Sequence, residues 1–172
     1  MVVGATYSED YVQGIVEGIP PGLELKNLKT LSTILALLDE LHLIYFKNPD
    51  ETMPFLHQQP KKLFTPEHYG KIVHTLMTAV YPFYRSKGMM NQLMSYHLED
   101  MRRRGYTQAV AECTGKYSQR SMKKHGFESR VSVSYDRYET ERRGQPGVVY
   151  KPFCGLIKEP HSTVELMWKY EL

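Results

Sequence analysis

Two periods of apolar and polar positions run along this chain, and the switches between them mark its elements. Val2 to Tyr7 reads as a short strand, and Gly14 to Gly22, with Pro20-Pro21 inside it, as a turn or loop. From Leu23 the pattern becomes helical. Leu28, Leu31, Leu35, Leu38 and His42 recur at three- and four-residue steps, with Ile34, Leu41 and Tyr45 beside them. This predicts an amphipathic helix packed on its own sheet, because a coiled-coil seam needs more heptads. Asn48-Pro49-Asp50 ends the helix, and Pro54, Pro60 and Pro66 punctuate a loop to about Tyr69. Loops of that length are often lids or binding segments. In Gly70 to Val80, Val73, Thr75, Met77 and Ala79 alternate with His74, Leu76, Thr78 and Val80. Both sets are mostly apolar, which predicts a central strand covered on both faces.

A second helix over Asn91 to Met101 carries Leu93, Met94, His97, Leu98 and Met101. It closes in Arg102-Arg103-Arg104-Gly105, where cations followed by glycine suit a helix C-terminus. Thr107 to Cys113 is the next strand, parallel to the previous one if the helix is their crossover. Ser118 to His125 is a short helix closed by Gly126, with Ser118 as its N-cap and Thr114 in the turn before it. Val131, Val133 and Tyr135 mark a strand, Arg142 to Gly147 a turn, and Ser162 to Tyr170 a last strand. The order predicts an α/β fold with a partly parallel, mixed central sheet flanked by helices.

The length of 172 residues suits a single domain over 1–172. A net charge of +3 with interleaved signs does not favour a nucleic-acid surface. Cys113 and Cys154 give neither a disulfide framework nor a metal-ligand pattern, so no metal and a reduced, cytoplasmic setting are expected. No signal peptide or membrane-spanning stretch is evident, and no membrane partner is expected.

One stretch stands out for its chemistry. Arg85-Ser86-Lys87-Gly88-Met89-Met90 joins the apolar run Ile72 to Val80 to the second helix. A helix start leaves N–H groups unpaired at the positive end of its dipole, and Gly88 admits an anion close to the backbone. Arg85 and Lys87 add charge, so the junction suits a diphosphate.

With this loop in view, the chain resembles the GNAT acyltransferases. Val80, four residues and then Arg85-x-x-Gly88 are similar to that family's acetyl-CoA signature, Q/R-x-x-G-x-G/A, with Met90 where the family has Gly or Ala. Cys113-Thr114-Gly115-Lys116-Tyr117-Ser118 through Gly126-Phe127 resembles the arylalkylamine N-acetyltransferases of insects and other invertebrates, as do Pro160-His161 and the final strand. The resemblance runs from about Val2 to the C-terminus. It implies a GNAT fold shortened at its N-terminal end, without counterparts of the family's first strand, the following helices and the second strand. The family's catalytic Glu-Pro is not at its expected place, and the chain's Glu-Pro is Glu159-Pro160.

The resemblance implies acetyl transfer from acetyl-CoA to a small-molecule primary amine, an arylalkylamine above others, by direct attack in a ternary complex. Thr78, Ala79 and Val80 would pair with the pantetheine arm, with the Val80 N–H polarising the acetyl carbonyl. Amides from Ser86 to Met90 would hold the diphosphate, with Arg85 and Lys87 beside it, and Tyr117 and Ser118 would also contact the cofactor. His74 is the candidate base, since an imidazole titrates near neutrality. A hydrogen-bonded structural histidine is the competing reading. Thr114 and Ser118 match hydroxyl positions given catalytic roles in the insect enzymes. Cys113 as nucleophile is disfavoured, a strand-end cysteine being more often a small core residue. Tyr45, Phe46, Phe55 and Phe64 are candidates to line an aromatic acceptor pocket. The alternatives are a catalytically impaired CoA-binding or interaction protein, dimerising through an exposed sheet edge, and an acetyltransferase for a polyamine or a protein amine.

Overall fold

The computed structural model describes residues 4–11, 13, 29–47, 69–141 and 145–172. The elements are β1 (Gly4–Asp10), α1 (Lys29–Lys47), β2 (Ile72–Val80), α2 (Met89–Arg103), β3 (Gln108–Cys113), α3 (Lys116–Lys124), β4 (Glu128–Ser134), β5 (Thr140–Glu141), β6 (Val149–Tyr150) and β7 (Thr163–Lys169). Five strands form one sheet in the order β1-β2-β3-β7-β4, and β5-β6 form a small separate ribbon. Only β2 and β3 run parallel; β1–β2, β3–β7 and β4–β7 are antiparallel. The helix α2 is the crossover between the two parallel strands, as the apolar pattern predicts.

Alternation along the strands divides the core between two faces. Ile72, Val110, Val131, Leu166 and Trp168 meet Leu37, Leu41 and Tyr45 of α1. Val73, Ala109, Ala111, Cys113 and Met167 meet Met94, Leu98 and Met101 of α2 and Met122 of α3. Trp168 anchors the first face, stacked 5.4 Å from Tyr45, with its indole N–H donated to Gln108 Oε1 at 2.9 Å. Truncating such a residue to alanine costs about 3–5 kcal/mol.

Several expectations need correction. The stripe of α1 against the sheet is Ile34, Leu37, Leu38, Leu41 and Tyr45, turned from the Leu28–His42 stripe. His42 is a hydrogen-bonding residue and not part of an apolar face. Tyr45 is a core residue, 3% exposed and stacked on Trp168, while the side chain of Phe46 and residues Phe55 and Phe64 lie outside the described residues. So do Val2, Val3 and the stretch 14–28. Strand β1 runs on to Asp10. Arg102 and Arg103 pair with Glu99, and Arg104 with Asp100, so the arginine run is helix-end chemistry.

The largest departure lies in β2. Its first four residues are buried, but Leu76 onward is exposed or half-buried, so the strand is doubly covered only in its first half. The β1 register steps from Tyr7↔Met77 to Ser8↔Thr75, leaving Leu76 as an extra residue on β2. This is a β-bulge, and it resets the alternation. Thr75 and Thr78, three residues apart, accordingly both face α2: Thr75 Oγ1 lies 3.4 Å from His97 Nε2, and Thr78 Oγ1 lies 3.5 Å from Met94 Sδ.

Candidate active site

The pairing of β2 with β3 spans only Ile72↔Gln108 to His74↔Val110. Beyond His74, β2 continues along β1 to Val80. Its other edge has no strand partner among the described residues, so the parallel pair opens into a cleft. A cavity of about 690 Å³ fills this opening. Thr78, Ala79 and Val80 form one wall, Arg85, Ser86, Gly88, Met90 and Asn91 the floor, and Tyr117, Ser118, Arg120, Ser121 and Lys124 of α3 the other wall.

The floor is a tightly turned backbone. Ser86 has φ 61° and Gly88 φ 75°, both left-handed. Ser86 is strained there, since it carries a Cβ, whereas Gly88 is not. Helix α2 begins at Met89, two residues before the expected Asn91, and no side chain caps it. The first intrahelical bond of this turn is Gln92 N–H to the Gly88 carbonyl, 3.2 Å. The amides of Met89, Met90 and Asn91 precede it and have no acceptor within the helix. The Met90 side chain, in the place of the family's Gly or Ala, also packs against the α2 core. Arg85 Nε reaches the Val80 carbonyl at 3.4 Å. Lys87 is turned aside, its Nζ 4.8 Å from the Phe83 ring centroid, and neither Lys87 nor Met89 lines the cavity.

Helix α3 begins at Lys116, after an extended Gly115, so Ser118 is not its N-cap. Ser118 instead donates its hydroxyl to the Gly115 carbonyl at 2.8 Å and lines the cavity. Thr114 is exposed, outside the cavity lining, and its carbonyl accepts the Tyr135 hydroxyl at 2.7 Å. Ser121 Oγ donates to Asn91 Oδ1 at 2.9 Å, and His125 bridges the Ser121 and Asn91 carbonyls, so floor and wall are clamped together. Asn91, Arg120, Ser121 and Lys124 were missed by sequence reasoning. For the last three the signal was present, since Tyr117, Arg120, Ser121 and Lys124 follow the i, i+3, i+4, i+7 spacing of one helix face.

His74 sits at the closed end of the cleft, on the α1 face of the sheet, and is no part of the cavity wall. Its Nε2 donates to Glu112 Oε2 at 2.7 Å, and its Nδ1 lies 3.5 Å from Glu9 Oε1. The other Glu112 oxygen bonds His42 Nε2 of α1, and His42 Nδ1 bonds the Tyr11 hydroxyl at 2.7 Å. Burial alone would lower the His74 pKa, but the hydrogen bonds and charges of Glu112 and Glu9 outweigh it and push it up to about 9. Burial likewise disfavours the Glu112 carboxylate, yet the two histidines hold it well below the usual range. The imidazole is therefore an imidazolium at neutral pH, held between two carboxylates. Burial pushes the Cys113 thiol up to about 12 against the opposing Ser118 hydroxyl. A thiol so poorly ionised is a poor nucleophile.

No family model matches the chain, and no curated protein matches it. Solved structures do. Arylalkylamine N-acetyltransferase 2 from Aedes aegypti is 18% identical, with a TM-score of 0.64 over 98% of this chain and 67% of that one. The C-terminal condensation domain of Ebony, in complex with β-alanyl-dopamine, is 14% identical, with a TM-score of 0.69 over 100% and 67%. Drosophila melanogaster polyamine N-acetyltransferase is 17% identical, with a TM-score of 0.62 over 98% and 69%. The fold is that of the GNAT acetyltransferases. The chain spans about two thirds of the length of these structures. No helix among the described residues is long and apolar enough to cross a membrane, and no group of three or more His, Cys, Asp or Glu among them is placed to hold a metal ion.

Proposed function

We propose that this protein transfers the acetyl group of acetyl-CoA to a primary amine, an arylalkylamine above other classes, by direct attack in a ternary complex. The observation that carries the reading is the parting of β2 from β3 beyond His74, over a cavity floored by the left-handed Ser86–Gly88 turn. A free strand edge running into a helix N-terminus fits a long acyl carrier ending in a diphosphate: the edge pairs with the amide-bearing arm, and the turn receives the anion. Thr78, Ala79 and Val80 hold the arm, and the backbone from Ser86 to Met90 with Arg85 holds the diphosphate. Arg120 and Lys124, which have no ion pair among the described residues, add cations on the far wall. The thioester lies toward the closed end, where a backbone N–H of β2 polarises the carbonyl, while Val80, at the open end beside the turn, holds the arm. Ser118 stands beside the arm as the candidate proton donor to the departing thiolate. The solved N-acetyltransferases named for arylalkylamines and polyamines support an amine acceptor. The raised thiol of Cys113 argues against an acetyl-enzyme.

The test is calorimetric titration of the chain with acetyl-CoA, beside an Arg85→Ala, Gly88→Asp variant, followed by a panel of arylalkylamines and polyamines. Micromolar binding lost in the variant, with turnover favouring arylalkylamines, is expected. Folded protein that binds no acetyl-CoA overturns the reading. Binding without turnover of any amine replaces the enzyme with a CoA-binding protein.

A further inference from the structure

The His74–Glu112 cluster behind the cleft includes a third acid, Glu9. Glu9 lies on β1, directly across from His74 in the strand register. Its side chain is 43% exposed, against 11% for His74 and 7% for Glu112. Glu112 is therefore an internal orienting group, and Glu9 is the member of the cluster that solvent and a solute reach. At 3.5 Å its contact with His74 Nδ1 is loose, whereas the Glu112 contact at 2.7 Å is tight. Other titratable groups among the described residues also stand near the imidazole. His42 from α1 shares Glu112, Tyr11 is bonded to His42 and packs edge-on to the imidazole at 5.5 Å, and Asp39 lies within the field of His42 and Glu112.

We propose that Glu9 is the ammonium-recognition residue of the acceptor site: the charged nitrogen of the amine displaces the His74 imidazole from Glu9, and His74, held by Glu112, takes its proton at Nδ1. This rests on the acetyltransferase reading above and names the acceptor half of the same site. Glu112 accepts the Nε2–H, fixing the tautomer, which leaves Nδ1 as the one nitrogen able to accept a proton. An ammonium arriving at Glu9 takes over the carboxylate that the imidazolium was using, and the imidazolium releases its Nδ1 proton to water. The ammonium then gives a proton to Nδ1, and its freed lone pair forms the N–C bond at the thioester carbonyl. The C–S bond breaks, the thiolate leaves with a proton from the Ser118 hydroxyl, and that hydroxyl recovers the second proton of the nitrogen. One amide, one thiol and one proton to solvent result.

The surroundings set the substrate class. Met77 pairs with Tyr7, two residues from Glu9, and so shares the face of Glu9 and His74. The bulge leaves Leu76 and Met77 41% and 66% exposed just beyond them. Among the described residues of the cluster Glu9 is the accessible carboxylate, and beside an apolar strip it suits a monoamine with an apolar body rather than a polyamine.

The test compares wild type with Glu9→Gln and Glu9→Asp, using a cationic arylalkylamine such as tryptamine and hydroxylamine, a nucleophile uncharged at neutral pH. Loss of a charge-assisted contact should lower kcat/KM of Glu9→Gln for tryptamine about ten- to hundredfold, mostly through KM. Glu9→Asp should recover part of it. Hydroxylamine turnover and calorimetric acetyl-CoA binding should stay within about twofold, and the His74 ring should titrate at lower pH in Glu9→Gln, followed by NMR. Unchanged tryptamine kinetics, or equal losses for both nucleophiles, overturn the inference while leaving the acetyltransferase intact. A wild type that acetylates neither nucleophile overturns both.

Discussion

The stability of the fold should carry the signature of the buried histidine. The perturbation is His74→Gln, which keeps a donor toward Glu112 and removes the titration. In the folded chain the imidazole pKa stands at about 9, against an ordinary 6.5. A raised folded value means that the protonated form stabilises the fold. The contribution is fully present below about 6.5, shrinks as pH rises toward 9, and is gone above it. The His74 side chain is 11% exposed, so little solvent screening intervenes. The shift corresponds to about 3 kcal/mol. Because the lowered Glu112 pKa reports the same pairing, it adds no second contribution. Urea unfolding of both proteins at intervals from pH 6 to pH 10 supplies the assay, since groups other than His74 cancel in the difference. The stability of wild type relative to His74→Gln should fall by about 3 kcal/mol across that range, with most of the fall between pH 6.5 and 9. Parallel curves would refute the reasoning, and would mean that Glu112 and Glu9 do not hold a proton on His74.

Other consequences follow from the cavity and its walls. Replacing Arg120 and Lys124 together with alanine should weaken acetyl-CoA binding about tenfold or more at low salt and less at high salt, read by calorimetry. Cys113→Ala should keep turnover within about threefold, and mass spectrometry of the wild type should find no acetyl adduct on Cys113, its thiol being held near 12. A Cβ at Gly115 would stand 2.6 Å from His161 Nδ1, which accepts the Lys116 N–H at 3.2 Å. Gly115→Ala should therefore cost about 1–3 kcal/mol, seen as a lowered Tm. Gly88→Ala meets no atom within 4 Å but forces a side chain into φ 75°, so it should lower stability by about 1 kcal/mol and acetyl-CoA affinity with it.

Much of the architecture was legible in the chain because it rests on short-range rules. The switch from a two-residue to a three-to-four-residue period places β2, α2, β3 and β7 to within one or two residues, since the side chains of each element must turn toward a core at its own repeat. The Arg85–Gly88 turn was legible because its chemistry lies within six residues. The cap of α3 was misplaced for a local reason: Ser118 is a common capping residue, but the extended Gly115 starts the helix first. What the sequence did not reveal depends on partners far along the chain. The bulge at Leu76 is defined by the opposing step from Tyr7 to Ser8, and without that register β2 reads as an unbroken alternation. Glu112 reads as one acid in an apolar strand, and His42 as a member of a helical stripe. They meet across 70 residues, and Glu112 meets His74 across 38. Only the packing of α1 onto the sheet decides that one buried carboxylate must serve two imidazoles, because a charge withdrawn from water takes whatever partners the topology places within reach.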